Sequence, residues 1–423
     1  MPFFSNRDPD GDEATGDPSA TEEISSDVTT WRARAADLIP GGASTGSKGP
    51  DALYGAQTAF GPTHFERAEG CRLITTDGTE LIDCSMALGA VALGYAEPSV
   101  IEAVISVARA GNATGLSHSL EVEIAERLTA VIPCAEQVRF LKTGAEAVAA
   151  AVRIARAHTG RSHVIGCGYF GWLGWWKGAA GLPAGAHADF EPVPFDAADA
   201  LHEAAKRSRD ELAAIVIEPV IERLPSEEWL NVARHACDDY GAVLIFDEIK
   251  TGFRVRQGGY QEYAGITPDL ATFGKAMANG FPLAAVVGKR AVMDAARSTW
   301  ISSTLASEGC ALAAAGAVLD WHERAEVSEA LWSIGGDIMA AVTRAVTASG
   351  VNGVSVEGIA PMWFLRFDDA RSESRFLELA LEDGVLFKRG AYNFASLAHD
   401  DDTIAAIEGA ASAAFVGLRE EEP

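Results

Sequence analysis

Lys275 stands in "ATFGKAMANG", residues 271–280, a run of small and apolar residues in a chain with 60 acidic and 34 basic side chains. A charged lysine is costly in such a setting, so its pKa falls and a neutral amine becomes available to attack a carbonyl carbon. Taken alone, a lysine of this kind ordinarily packs its stem and leaves its head in water. The chemistry therefore depends on its company. "AVLIFDE" ends in Asp247 and Glu248, and "LAAIVIEP" ends in Glu218 followed by Pro219. Thr143, Gly144 and Ala145 stand where "RFLKTGAEAVAAAVRIAR" passes from a strand-like run into helical spacing. A helix start presents free backbone N–H groups and the positive end of the dipole, which suits a phosphate. Most glycine-containing helix starts only solve a tight turn.

The elements that would position these residues are legible in the hydrophobic pattern. "SHVIGC", "LAAIVIEP", "AVLIFDE", "DLATFGK" and "LAAVVGK" are short apolar runs rich in branched residues, as in strands buried on both faces of a parallel sheet. "PSVIEAVISVARAG", "LEVEIAERLTAVIP" and "SEEWLNVARHACDDYG" carry helical spacing. Together they give the βαβ rhythm of an α/β domain, whose ligands bind at the carboxyl ends of the strands. Asp247, Glu218 and the start of the helix at 144 all fall there. After residue 310 the helical "CALAAAGAVLDWHERA" leads to "MWFLRFD" and "GVLFKRG", which read as a smaller α+β domain. The expected division is a disordered acidic leader over 1–28 and a loop-rich N-terminal segment, 29–75, that joins the small domain or crosses the site. A large domain over 76–315 and a C-terminal small domain over 316–423 complete it. "PGGASTGSKG" is too rich in Gly and Ser for a regular element.

Composition narrows the function. At 423 residues and 48% hydrophobic content the chain can bury a large core. A net charge of −26 repels nucleic acid and anionic membranes. No run of 18 apolar residues predicts a membrane span, and the N-terminus lacks the pattern of a secretory signal. Six scattered cysteines without a C-x-x-C pair argue against structural zinc and against a disulfide framework, so a reduced cytoplasm is expected and no metal site is. Cys167 and Cys310 read as inert thiols, and His118 and His399 as turn residues.

A lysine for an aldehyde, an anion at a strand end and a helix terminus for a phosphate meet the needs of pyridoxal phosphate (PLP). Its pyridine nitrogen requires an anion so that the ring can act as an electron sink. "LIFDEIKTGFR", "TPDLATFGKAMANGFPLAAVVG" and "KTGAEAVAAAVRIAR" resemble the class III aminotransferases of the fold-type I PLP transferases, nearest to the glutamate-1-semialdehyde 2,1-aminomutase-like branch. The resemblance spans roughly residues 31–415, and Asp247 precedes Lys275 by 28 residues, as the family pattern requires. It implies a large mainly parallel sheet domain, a smaller α+β domain and a homodimer. It also implies roles. Lys275 is the Schiff-base lysine and proton carrier, and Asp247 pairs with the pyridine nitrogen. Ile249 and Tyr169 cover the two ring faces, and Glu218 stands near the ring hydroxyl. Thr143, Gly144 and Ala145 hold the phosphate, and Thr304 reaches the phosphate in the neighbouring subunit.

Departures from the family pattern point to the substrate. "YHG" becomes "YFG" at Phe170, and Trp172, Leu173 and Gly174 replace a more polar continuation; Trp175 and Trp176 follow, as pocket or as core. Lys48 stands where an arginine is expected, and Ala391 and Tyr392 where aminomutases carry an acid. Lys48, Phe170, Trp172 and Tyr392 are thus the expected substrate pocket. The expected activity is transfer of an amino group from an amine or amino acid donor to a ketone or aldehyde with an apolar or aromatic body. An aminomutase or epimerase, a sugar or aminoglycoside aminotransferase, and a PLP-fold binding or regulatory protein are the alternatives.

Overall fold

The computed structural model describes residues 31–55 and 60–421, so the leader expected over 1–28 lies outside the described residues. In chain order the strands are β1 (Phe65–Glu69), β2 (Arg72–Thr75), β3 (Glu80–Asp83), β4 (Gln137–Leu141), β5 (His163–Cys167), β6 (Phe190–Pro192) and β7 (Leu212–Ile217). They continue as β8 (Val243–Asp247), β9 (Leu270–Phe273), β10 (Ala284–Gly288), β11 (Val354–Ile359), β12 (Met362–Phe367), β13 (Val385–Leu386) and β14 (Asn393–Phe394).

Seven strands form the central sheet in the order β4-β10-β9-β8-β7-β5-β6. The pairs β9–β8, β8–β7, β7–β5 and β5–β6 are parallel, whereas β10 runs antiparallel to both its neighbours. The reason is the connection. Between β9 and β10 the chain has one short 3₁₀ turn, Lys275–Ala278, and no crossover helix, so it can only fold straight back. Strands β7, β8, β9 and β10 are buried throughout, as their unbroken apolar runs predict.

Alternation along these strands sorts side chains between two cores. Ala214, Val216, Val243, Ile245 and Leu270 pack with the helix Gly144–Thr159 on one face. Ile215, Ile217, Leu244, Phe246 and Phe273 pack with Trp229 and Ala233 of the helix Glu227–Tyr240 on the other. Asp247 shares the parity of Val243 and Ile245, so it belongs to the side on which the helix Gly144–Thr159 begins.

Two smaller sheets flank this body, one ordered β1-β2-β3-β13 and one β11-β12-β14. The first joins the strands of residues 65–83 to Val385 and Leu386 in one sheet. The helix Gly309–Arg324 packs on the helix Pro98–Ala110. The Gly-rich stretch near residue 45 forms two 3₁₀ turns, Pro40–Gly42 and Gly46–Lys48.

Candidate active site

A cavity of about 390 Å³ opens at the carboxyl ends of β7, β8 and β9. That is the size of a small-molecule site. Asp247 ends β8 and is 5% exposed; its Oδ1 accepts from the Ile249 N–H at 3.0 Å and from the Thr272 hydroxyl at 3.2 Å. Thr272 is its register partner on β9. Its Oδ2 accepts nothing among the described residues and remains for a donor in the cavity. Burial, and then the charge of Glu218, raise the Asp247 pKa to about 7.

Lys275 follows β9 and heads the 3₁₀ turn with φ +48°, a left-handed backbone that a side-chain-bearing residue rarely adopts. The turn is pinned at its far end by Asn279. Its Oδ1 accepts from the N–H groups of Ala92 and Leu93 at 2.9 and 3.0 Å, and its Nδ2 donates to the Gly94 carbonyl at 3.0 Å. Lys275 itself has no hydrogen bond or ion pair among the described residues and lines the cavity. Burial, followed by the positive charge of Lys250, lowers its pKa to about 8, against the opposing pull of Glu218 and Asp247. A site that leaves its lysine unpaired and easily neutralised is suited to covalent capture of a carbonyl.

Gly144 and Ala145 line the cavity at the first turn of their helix, and their N–H groups make no hydrogen bond among the described residues. Thr143 caps that helix. Its hydroxyl accepts from the Glu146 N–H at 3.2 Å, and Glu146 returns a carboxylate to the Thr143 N–H at 2.9 Å, a capping box that turns Thr143 away from the cavity lining. Ile249 sits between two glycines. A Cβ on Gly144 would come within 3.1 Å of it, as would one on Gly274, so either would force the Ile249 side chain to give way.

Glu218 lies just past β7 and lines the cavity; its Oε2 accepts from the Tyr169 N–H at 3.1 Å, and its Oε1 is 2.5 Å from Lys250 Nζ. Tyr169 and Trp172 are 68% and 81% exposed and form the cavity's outer wall. Phe170 backs that wall but is itself 1% exposed, packed against Trp175, Trp176 and Phe190. Trp175 and Trp176 are thus part of the core around Phe170.

Besides Thr143, three expected residues stay outside the cavity. Lys48 is exposed on its 3₁₀ turn, and Thr304 is exposed in the turn after Ser303. Tyr392 lies beyond Lys250, whose Nζ is 4.1 Å from the ring centroid, and its hydroxyl accepts from the Glu222 N–H at 2.8 Å. It lines a separate cavity of about 300 Å³. Conversely, the sequence reading did not single out Ala90, Phe281, Pro282, Leu283 or Lys250, which all line the main cavity. Phe281–Leu283 were signalled by the glycine at 280, which must turn the chain back beside Lys275. Lys250 was signalled by Glu218, since a buried carboxylate calls for a cation. His118 and His399 bond within local turns, and all six cysteines are free, with burial raising the Cys167 thiol to about 12.

The family model for Aminotransferase class-III matches residues 55–171 and 183–404. The chain belongs to the class-III aminotransferases. It is 33% identical over 326 residues to the 3-aminobutyryl-CoA aminotransferase of Cloacimonas acidaminovorans, covering 75% of this chain and 78% of that protein. It is 32% identical over 412 residues to the glutamate-1-semialdehyde 2,1-aminomutase of Ignicoccus hospitalis, covering 88% and 94%. Among solved structures, the PLP form of the FumI protein of Sphingopyxis sp. MTA144 superposes with a TM-score of 0.88 at 27% identity, covering 93% of this chain and 97% of that one. For a class-III aminotransferase, the cavity at the ends of β7–β9 is the place where the chemistry would occur.

Proposed function

We propose that this class-III aminotransferase uses PLP to move an amino group from a donor amine to a separate ketone or aldehyde whose body is apolar or aromatic. The observation that carries the substrate class is the cavity wall. Ala90, Tyr169, Phe170, Trp172, Phe281 and Leu283 line it, and its lysines other than Lys275 are engaged. Lys142 pairs with Glu308 at 2.8 Å and Lys250 with Glu218 at 2.5 Å. Among the described residues no arginine lines the cavity to grip a carboxylate in two-pronged fashion.

The donor set fits PLP. Gly144 and Ala145 offer unpaired N–H groups at a helix start, Asp247 offers a free oxygen, and Lys275 offers an unpaired amine. Bound there, PLP supplies the aldehyde and the electron-accepting ring. Asp247 Oδ2 would hold the proton on the pyridine nitrogen, and its burial strengthens that interaction. Ile249 and Tyr169 would fix the plane of the ring. Lys275 Nζ, with its lowered pKa, would take the proton from the substrate carbon that bears nitrogen and return it on the other side of the transfer.

The working unit is a homodimer in the cytoplasm. Thr304 lies among exposed apolar residues, Trp300 at 86% and Leu305 at 50%, as a segment meant to meet a neighbouring copy and reach its cavity. A second reading, an internal amino shift, is favoured by the length of the match to the Ignicoccus aminomutase. Holoenzyme mixed with L-alanine, L-glutamate, 1-phenylethylamine or an amino sugar separates these readings. Loss of the near-visible absorbance with phenylethylamine, and its return on adding pyruvate, is the expected outcome. Turnover of a single substrate without any acceptor would establish the aminomutase instead.

A further inference from the structure

The cavity holds a second lysine that the proposed amino transfer does not use. Lys250 is 8% exposed, and its ammonium lies 2.5 Å from Glu218 Oε1 and 4.1 Å from the centroid of the Tyr392 ring. Tyr392 is anchored in turn by the Glu222 N–H at 2.8 Å. The other oxygen of Glu218 accepts from the Tyr169 N–H at 3.1 Å. That loop is pressed close, since a Cβ on Gly168, at φ +139°, would fall 2.5 Å from the Glu218 Cβ. One chain of contacts therefore runs from Tyr392 through Lys250 and Glu218 to the backbone of Tyr169, the residue that forms the outer wall.

We propose that Lys250 is a positioning residue of this site: its ammonium fixes Glu218, holds the Tyr169 loop over the cavity, and supplies the positive charge that keeps Glu218 from competing with Asp247. A cation paired with one of two neighbouring buried carboxylates offsets part of their mutual repulsion. Glu218 raises the proton affinity of Asp247, and the Lys250 ammonium is the only ion-pair partner of Glu218 among the described residues. The same ammonium repels a proton on Lys275. The charged groups acting on Lys275 are thus Lys250, Glu218, Asp247 and Arg254, the last fully buried without a carboxylate partner among the described residues; Lys142 also lines the cavity, paired with Glu308. Burial works against the charge on Lys250, but Glu218 and Tyr392 outweigh it and raise its pKa. Lys250 therefore stays charged throughout the working pH range.

This inference rests on the PLP reading, and the experiment separates the two. The pH midpoint of the holoenzyme's near-visible absorbance reports protonation of the nitrogen that Lys275 contributes. A wild-type protein with no such band after loading with PLP would sink the PLP reading. With the band present, Lys250→Met moves the midpoint upward by about one pH unit or more, because a like charge is lost and Glu218 is left unbalanced. Lys250→Arg keeps it within a few tenths of the wild type. Glu218→Gln, which retains an acceptor for Tyr169, moves it downward, and the double variant returns it towards the wild-type value. Should Lys250→Met fail to fold, Glu218→Gln still decides. An unchanged midpoint in either single variant, with the band intact, overturns the proposal.

Discussion

The floor and the mouth of the cavity are built differently. Asp247, Glu218 and Ile249 stand at or just past the ends of fully buried parallel strands, and Lys275 heads a turn pinned by Asn279. Tyr169 and Trp172 sit on loops that leave them largely exposed. Strand ends cannot shift without breaking the sheet, whereas loop residues can be exchanged with little effect on the core. On the proposed function the floor would therefore carry the amino transfer, and the mouth is where a substrate would be selected. Even within the floor, position decides role. Asp247 and Glu248 are consecutive, both buried, and both raised to about 7, chiefly by burial. Strand alternation sends one into the cavity and the other away from it. Glu248 accepts from the N–H groups of Tyr260 and Gln261 at 2.7 and 2.9 Å and from the Thr251 hydroxyl.

The sharpest way to break this division is to empty the floor. Lys275→Ala should lower turnover at least about 10⁴-fold, since it removes both the covalent anchor and the proton carrier. The near-visible band should vanish while circular dichroism and thermal melting of the PLP-free protein stay close to wild type. Retention of the band would displace the lysine assignment. Asp247→Asn keeps an acceptor for Ile249 and Thr272 but removes the anion. It should cost about 10²–10³-fold in kcat with the band still present.

Those floor residues were legible because each ends a strand or begins a helix, and such places are marked by a change in hydrophobic period. "AVLIFDE" stops being apolar at Asp247, and "RFLKTGAEA" changes spacing at Gly144. The mouth carries no such mark. Tyr392 lies six residues past the end of β13, and nothing in its local sequence shows that Lys250 would stand between it and the cavity. Phe170 reads from sequence as a pocket residue because it replaces a polar one. In the fold it does line the cavity, but from behind the outer wall, because Trp175, Trp176 and Phe190 close around it. The antiparallel course of β10 was equally hidden, because only the missing crossover helix, not its own residues, dictates it.

Glu248 sharpens the comparison from the structural side. Its pKa is raised from 4.5 to about 7, so between those values the folded chain holds a proton that the unfolded chain has released. Its contribution to stability is thus complete below about pH 4.5 and is lost as pH rises through about 7. In Glu248→Gln the fall in melting temperature between pH 4.5 and 7 should be shallower. Stability near pH 5 should drop by about 1–3 kcal/mol, because the amide cannot accept all three donors. A reaction-step defect as large as that of Asp247→Asn, without loss of stability, would show that Glu248 belongs to the catalytic floor.

The smallest effect is expected at the mouth. Trp172 is 81% exposed and has little to lose on truncation, so Trp172→Ala should change folding stability by no more than about 0.5 kcal/mol. If the outer wall selects for an apolar body, KM for 1-phenylethylamine should rise about tenfold in this variant, roughly 1.4 kcal/mol, with kcat nearly unchanged. L-alanine, which has only a methyl group to offer that wall, should be affected far less. Equal changes for both donors would mean that Trp172 closes the cavity without reading the substrate. The apolar selectivity would then have to come from Ala90, Phe281 and Leu283, other apolar residues that line the cavity.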